Sequence, residues 1–164
     1  MGLDMYLTKK TFIGANYEHM ETRGTIDITV KGQPVNINFN RVKSIIEHVG
    51  YWRKANQIHN WFVQNVQDGE DDCRDYSVSR QDFENLLQTV NLVLNSKGTP
   101  EESSVIEENL QPTSGFFFGS TEVDQWYWED LELTKQIVSD VLAEMDEDSK
   151  NPNLWVDYYY SSSW

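Results

Sequence analysis

Residues 50–73 read GYWRKANQIHNWFVQNVQDGEDDC. Tyr51, Ala55, Ile58, Phe62 and Val66 recur at the spacing of one helix face, and Trp52, His59 and Val63 widen the stripe. Arg53, Asn56, Asn60 and Gln64 fall opposite. The spacing predicts an amphipathic helix over 51–67 that runs into an acidic loop at Gly69. The same stretch gathers two Trp, an Arg-Lys pair, a His, four carboxylates and the single Cys of the chain, so it is also the densest concentration of side chains able to do chemistry.

Upstream, NRVKSIIEHV (40–49) reads as a short helix with Asn40 as N-cap and Gly50 as its end. TIDITV (25–30) and VNINF (35–39) alternate apolar and polar residues, placing Ile26, Ile28, Val30, Val35, Ile37 and Phe39 on apolar faces. KGQP between them predicts a hairpin turn with Gly32 at positive φ. Residues 3–13 read as a first strand. Downstream, DYSV (75–78) reads as a short strand. Ser79 with Asp82 resembles a capping box, opening a helix whose buried face is Phe83, Leu86, Leu87, Val90, Val93 and Leu94 and which closes near Gly98. Residues 97–114 read as a polar loop with two Pro, and GFFF (115–118) as a buried strand or turn with Phe116 and Phe118 on one side and Phe117 on the other. A long helix follows, capped by Ser120 or Thr121, with Tyr127, Leu131, Thr134, Val138, Val141, Leu142 and Met145 on one face. LWVDYYY (154–160) is a last strand. The expected fold is α+β, one domain over 1–164, with a small, mainly antiparallel sheet and about four helices.

The 164 residues are 38 % hydrophobic and 13 % aromatic, which suits a folded domain rather than a disordered chain. A lone Cys forms no internal disulfide, and no apolar run approaches the roughly 20 residues that span a bilayer. The expectation is a soluble, intracellular protein. The net charge of −14 is unevenly spread. Residues 1–60 carry eight Lys/Arg and five acids, whereas 61–164 carry five and twenty-two. Phosphate binding needs Lys and Arg, so the C-terminal part should repel nucleic acid and attract basic surfaces.

Several groups invite a chemical reading. His59 lacks a second His at helical spacing or a Cys pair, so no metal is expected there. Cys73 follows Asp71 and Asp72, which oppose thiolate formation, and a Cys73–His59 pair would have to form through space. Asp68, Glu70 and Asp72 alternate like calcium-loop ligands, but Cys73 stands where that loop needs Gly and Ser79 where it needs Glu. Arg53 and Lys54, flanked by Tyr51 and Trp52, can hold a phosphate and stack a base. Trp52, Arg53, Asn56, His59 and Cys73 thus form a candidate ligand pocket. On the last helix Glu129, Glu132, Asp140 and Glu144 lie near one face at a rise of about 6 Å per four residues, comparable with neighbouring phosphates. Glu122, Asp124, Trp126 and Trp128 adjoin them, and Trp favours binding hot spots.

MGLDMYL at the start, GYWRKANQIHNWFV with DGEDDC in the middle, and GFFFGST with WYWEDL later together resemble a family of small phage and prophage proteins. The resemblance implies a phage accessory protein acting in the host cytoplasm, with counter-defence of the anti-CRISPR kind as the analogy. The expected function is a non-enzymatic, cofactor-free inhibitor whose acids (Asp68, Glu70, Asp71, Asp72, and the set from Glu122 to Glu144) occupy the basic groove of a nucleic-acid-handling host protein. The other expectation is a small-ligand or nucleotide-binding protein, or an enzyme, using the 51–67 helix.

Overall fold

A computed structural model describes residues 2–14, 27–38, 41–115 and 117–164. Among the described residues the fold is α+β: four helices and a four-stranded antiparallel sheet, with a separate two-stranded ribbon. The elements are β1 (Asp4–Phe12), β2 (Thr29–Val30), β3 (Gln33–Pro34), β4 (Ser44–Arg53), α1 (Asn56–Asn65), β5 (Tyr76–Ser77), α2 (Arg80–Ser96), α3 (Glu102–Asn109), α4 (Gln125–Asp148) and β6 (Trp155–Ser163). The sheet order is β4-β1-β6-β5.

Alternation along β1 sends Met5, Leu7 and Lys9 to the face covered by helices. Trp52 of β4 and Tyr158 and Tyr160 of β6 join them there. Against this face pack α4 and α1, and α2 lies along α4. Lys9 is the one cation on the inner face of β1; its ammonium donates to Glu144 (3.2 Å) and forms an ion pair with Asp148 (2.8 Å), and so ties the C-terminal end of α4 to the sheet. Burial lowers its pKa, but the two carboxylates outweigh burial and hold it well above the ordinary lysine range.

The helix expected over 40–50 is a strand. Asn40, its proposed cap, lies outside the described residues. From Ser44 on, the segment with the β-branched Ile45 and Ile46 pairs with β1 in a long antiparallel register. A bulge leaves Val49 without a partner between Leu7↔Gly50 and Thr8↔His48. Ordinary strand alternation beyond it sets both Gly50 and Trp52 inward. A Cβ on Gly50 would sit 2.8 Å from the Ile137 side chain, so glycine is what lets α4 approach the sheet this closely. The spacing of Ile45, Ile46 and Val49 mimics a helix face, yet long-range pairing decides.

The helix expected over 51–67 is shorter, because Tyr51–Arg53 complete β4. It is also buried nearly all round: Asn56 and Gln57, expected on or beside a wet face, are 2 % and 3 % exposed. The KGQP turn forms as expected, with Lys31 and Gly32 both at positive φ, but its strands are only two residues each and remain exposed. Ile26 and Phe39 lie outside the described residues.

The capping box Ser79–Asp82 is present, and α2 buries Phe83, Leu86, Val90 and Val93. The expected loop 97–114 contains α3, which is held to the core by Ile106 and Leu110. Asp124, rather than Ser120 or Thr121, caps α4 by accepting from the Tyr127 amide. Phe118 is buried and Phe117 exposed in a turn; Phe116 lies outside the described residues. Among the described residues no helix is long and apolar enough to cross a membrane.

Candidate functional site

Three pieces of chain meet at one end of the helical layer: the turn from β4 into α1, the loop 112–122 and the first turns of α4. Between them lies a cleft of about 470 Å³, within the range of small-molecule sites.

One wall is cationic. Arg53 ends β4 with its side chain largely exposed, and its nearest carboxylate, Asp4, is 4.0 Å away. Lys54 follows in the left-handed region (φ 63°), held there because its amide donates to Leu3 and its carbonyl accepts from Asn56. Non-glycine residues enter that region at a cost, and such strain concentrates at functional positions. Gly119, also at positive φ (95°), lies against Lys54; a Cβ there would meet the Lys54 Cβ at 3.2 Å.

The second wall is the start of α4. Trp126 lines the cleft and is 72 % exposed, an indole face with one open side. Asp130 follows one turn later on the same side of the helix. The floor is Asn56, Gln57 and Tyr127. Asn56 uses its whole amide as a clasp. Its nitrogen donates to the carbonyls of Phe118 (3.2 Å) and Ser120 (2.8 Å), and its oxygen accepts from the Thr113 amide (2.8 Å). It shapes the loop rather than offering a free group.

Asp130 is the chemically distinctive residue. Its carboxylate receives only a long hydrogen bond, 3.4 Å, from Gln57 Nε2. Burial pushes its pKa up to about 6, and the nearby Asp124 and Glu129 push the same way, against the Gln57 bond. A chain runs behind it: Trp52 Nε1 donates to Thr134 Oγ1 (2.9 Å), which donates to the Asp130 carbonyl (2.6 Å). The sheet thereby positions the turn that carries the acid.

A raised carboxylate is a stability cost with a defined pH window. Between the ordinary value of 3.8 and about 6, the folded state holds more protons than the unfolded chain. Stability therefore falls as pH rises through that window. Asp130→Asn should raise stability at pH 8 by about 1–2 kcal/mol, the full shift being discounted for partial solvent access. Below pH 4 the gain should vanish. Urea titrations of both proteins at the two pH values check this; an equal gain at both would assign it to something other than ionisation.

The other expected pocket residues go elsewhere. Trp52 is core. His59 is 1 % exposed, with Nδ1 2.8 Å from the Tyr160 hydroxyl and Nε2 2.9 Å from Asp71. Tyr160 stacks on Phe62 at 3.9 Å, and burial raises its hydroxyl pKa well above the usual value. Cys73 is exposed in a left-handed turn. With both imidazole nitrogens engaged, His59 is a structural pin between α1, β6 and the acidic loop, and no Cys73–His59 pair forms.

The acidic loop is largely self-satisfied. Arg74 binds Glu70 and Asp72, and Asp71 also accepts from Trp164 Nε1. Asp68 is exposed at φ 53° beside Gly69. Among the described residues no group of three His, Cys, Asp or Glu side chains is placed to hold a metal ion. Of the expected docking residues, Trp128 is buried under Lys97, Glu144 is engaged by Lys9 and Asp140 accepts from Gln136. Glu122, Glu129 and Glu132 are exposed around Trp126, and Asp124 is spent as the cap.

Gln57 and Asp130 were the residues that sequence reasoning missed. Their signal was available in part: Asp130 stands four residues after Trp126, on one helix side. Comparison with protein-family models, curated proteins and solved structures gives no match to this chain.

Proposed function

We propose that this is a nucleotide-binding protein whose site is the cleft between Arg53–Lys54 and Trp126. The observation that carries this reading is the opposition of a cationic wall and an open indole across a space of about 470 Å³. Arg and Lys suit a phosphate group, and an indole face stacks a base. The excess of fourteen carboxylates disfavours a long strand and favours a free nucleotide. In a phage accessory protein, as the sequence resemblance implies, such a site serves to sequester a host nucleotide in the host cytoplasm.

A second reading keeps the acidic face as a docking surface for the basic groove of a host nucleic-acid-handling protein. It is favoured by Trp126 standing out among exposed Glu122, Glu129 and Glu132. One set of variants separates the two. Arg53→Ala with Lys54→Gly should weaken mononucleotide binding about thirty-fold, or ~2 kcal/mol, and Glu129→Lys with Glu132→Lys should leave it unchanged or tighter. Calorimetric titration reads both. Loss of a stoichiometric protein partner only in the glutamate variant, with no nucleotide bound by either protein, would favour the docking reading.

A further inference from the structure

The floor of the cleft presents hydrogen-bond acceptors. Asp130 offers two carboxylate oxygens and, when ionised, no donor. Gln57 must therefore turn its nitrogen toward Asp130, as it does at 3.4 Å. That leaves its carbonyl oxygen as an acceptor at the wall of the cleft. Gln57 is 3 % exposed and lines the cleft. An amide oxygen at the cleft wall and a weakly satisfied carboxylate side by side suit a ligand edge that carries consecutive donors.

Of the four common bases only guanine has such an edge, with N1–H and the 2-amino group adjacent. Adenine and cytosine each place a ring nitrogen acceptor beside their amino donor, and uracil has a single N–H between two carbonyls. A carboxylate facing the adenine or cytosine edge leaves an acceptor opposed to an acceptor, and a site built to receive donors rejects analogues that lack them.

We infer that the cleft selects guanine, with Asp130 accepting from N1–H and the 2-amino group, Trp126 covering the ring, and Arg53 and Lys54 holding the phosphate. This rests on the nucleotide-binding reading above. The charged groups around the base-reading acid are Glu122, Asp124 and Glu129 on its own side and Arg53 and Lys54 across the cleft. The cations offset the acids at the phosphate end, leaving the acceptor character at the floor.

The test is calorimetric titration of the full chain with GMP, IMP, AMP and XMP at neutral pH and low salt, beside Asp130→Asn with its fold checked by circular dichroism. GMP should bind at least about ten-fold tighter than IMP, which lacks the 2-amino group, and tighter still than AMP. Asp130→Asn should lose about ten-fold or more in GMP affinity and gain XMP, whose 2-carbonyl accepts from the new amide. Equal binding of GMP and AMP by the unaltered chain would overturn the guanine assignment while leaving nucleotide binding standing. No binding of any mononucleotide would overturn both. A guanine-containing RNA tetramer binding more tightly than GMP would overturn the free nucleotide as the ligand.

Discussion

Asn56→Ala should lower the unfolding free energy by about 3 kcal/mol. The residue is 2 % exposed and satisfies three main-chain groups of the loop 113–120 at 2.8–3.2 Å. Each net hydrogen bond contributes about 1 kcal/mol, and the groups left behind in a buried place add their desolvation cost. Because those groups frame the cleft, amide exchange across 113–120 should accelerate in the variant while α2, remote from the clasp, keeps its protection. Urea unfolding with hydrogen exchange measures both. A loss below about 1 kcal/mol with unchanged exchange would mean the clasp is replaceable by water.

His59→Leu should cost a similar amount, about 3 kcal/mol, through a different route. The change leaves the Tyr160 hydroxyl, in a residue 1 % exposed, and the Asp71 carboxylate without their shared partner. Removing one member of a buried polar set penalises those that remain. Adding Tyr160→Phe to His59→Leu should therefore recover about 1 kcal/mol. Additive losses in that double-mutant cycle would sink the pin. A catalytic His59 would instead show lost activity at preserved stability.

Much of the architecture was legible locally. The Ser79–Asp82 box, the α2 stripe, the long α4 face and the KGQP turn each rest on contacts within a few residues, which is where sequence patterns carry information. The segment 44–53 was not legible, because Ile45, Ile46 and Val49 satisfy a helix period while the strand that the segment pairs with is β1. Asn56 read as a surface residue because helix periodicity knows nothing of a loop some 60 residues later that covers it. The candidate site suffered most from this. Arg53 and Lys54 were visible as cations beside aromatics, and Trp126 as a hot-spot residue. Their meeting across one cleft, and the acid between them, depend on β4 ending where α4 begins to pack. His59 and Cys73 drew notice by residue type alone, and their neighbours give them structural or peripheral places.

The position of β1 has a kinetic consequence. It is central in the sheet, yet one partner, β4, ends at Arg53 while the other, β6, begins at Trp155. Thr8 Oγ1 reaches the carbonyl of Tyr159, 151 residues away in sequence. As the chain leaves the ribosome, β1 and β4 can form a hairpin early, but one flank of that hairpin waits until β6, which begins only at Trp155, has been made. Closing so large a loop adds little to the equilibrium cost, which grows only with the logarithm of length. It weighs far more on rate, since distant pairings are slow to find. The nascent chain therefore carries an open strand edge from the time β1 and β4 pair until β6 arrives to close it.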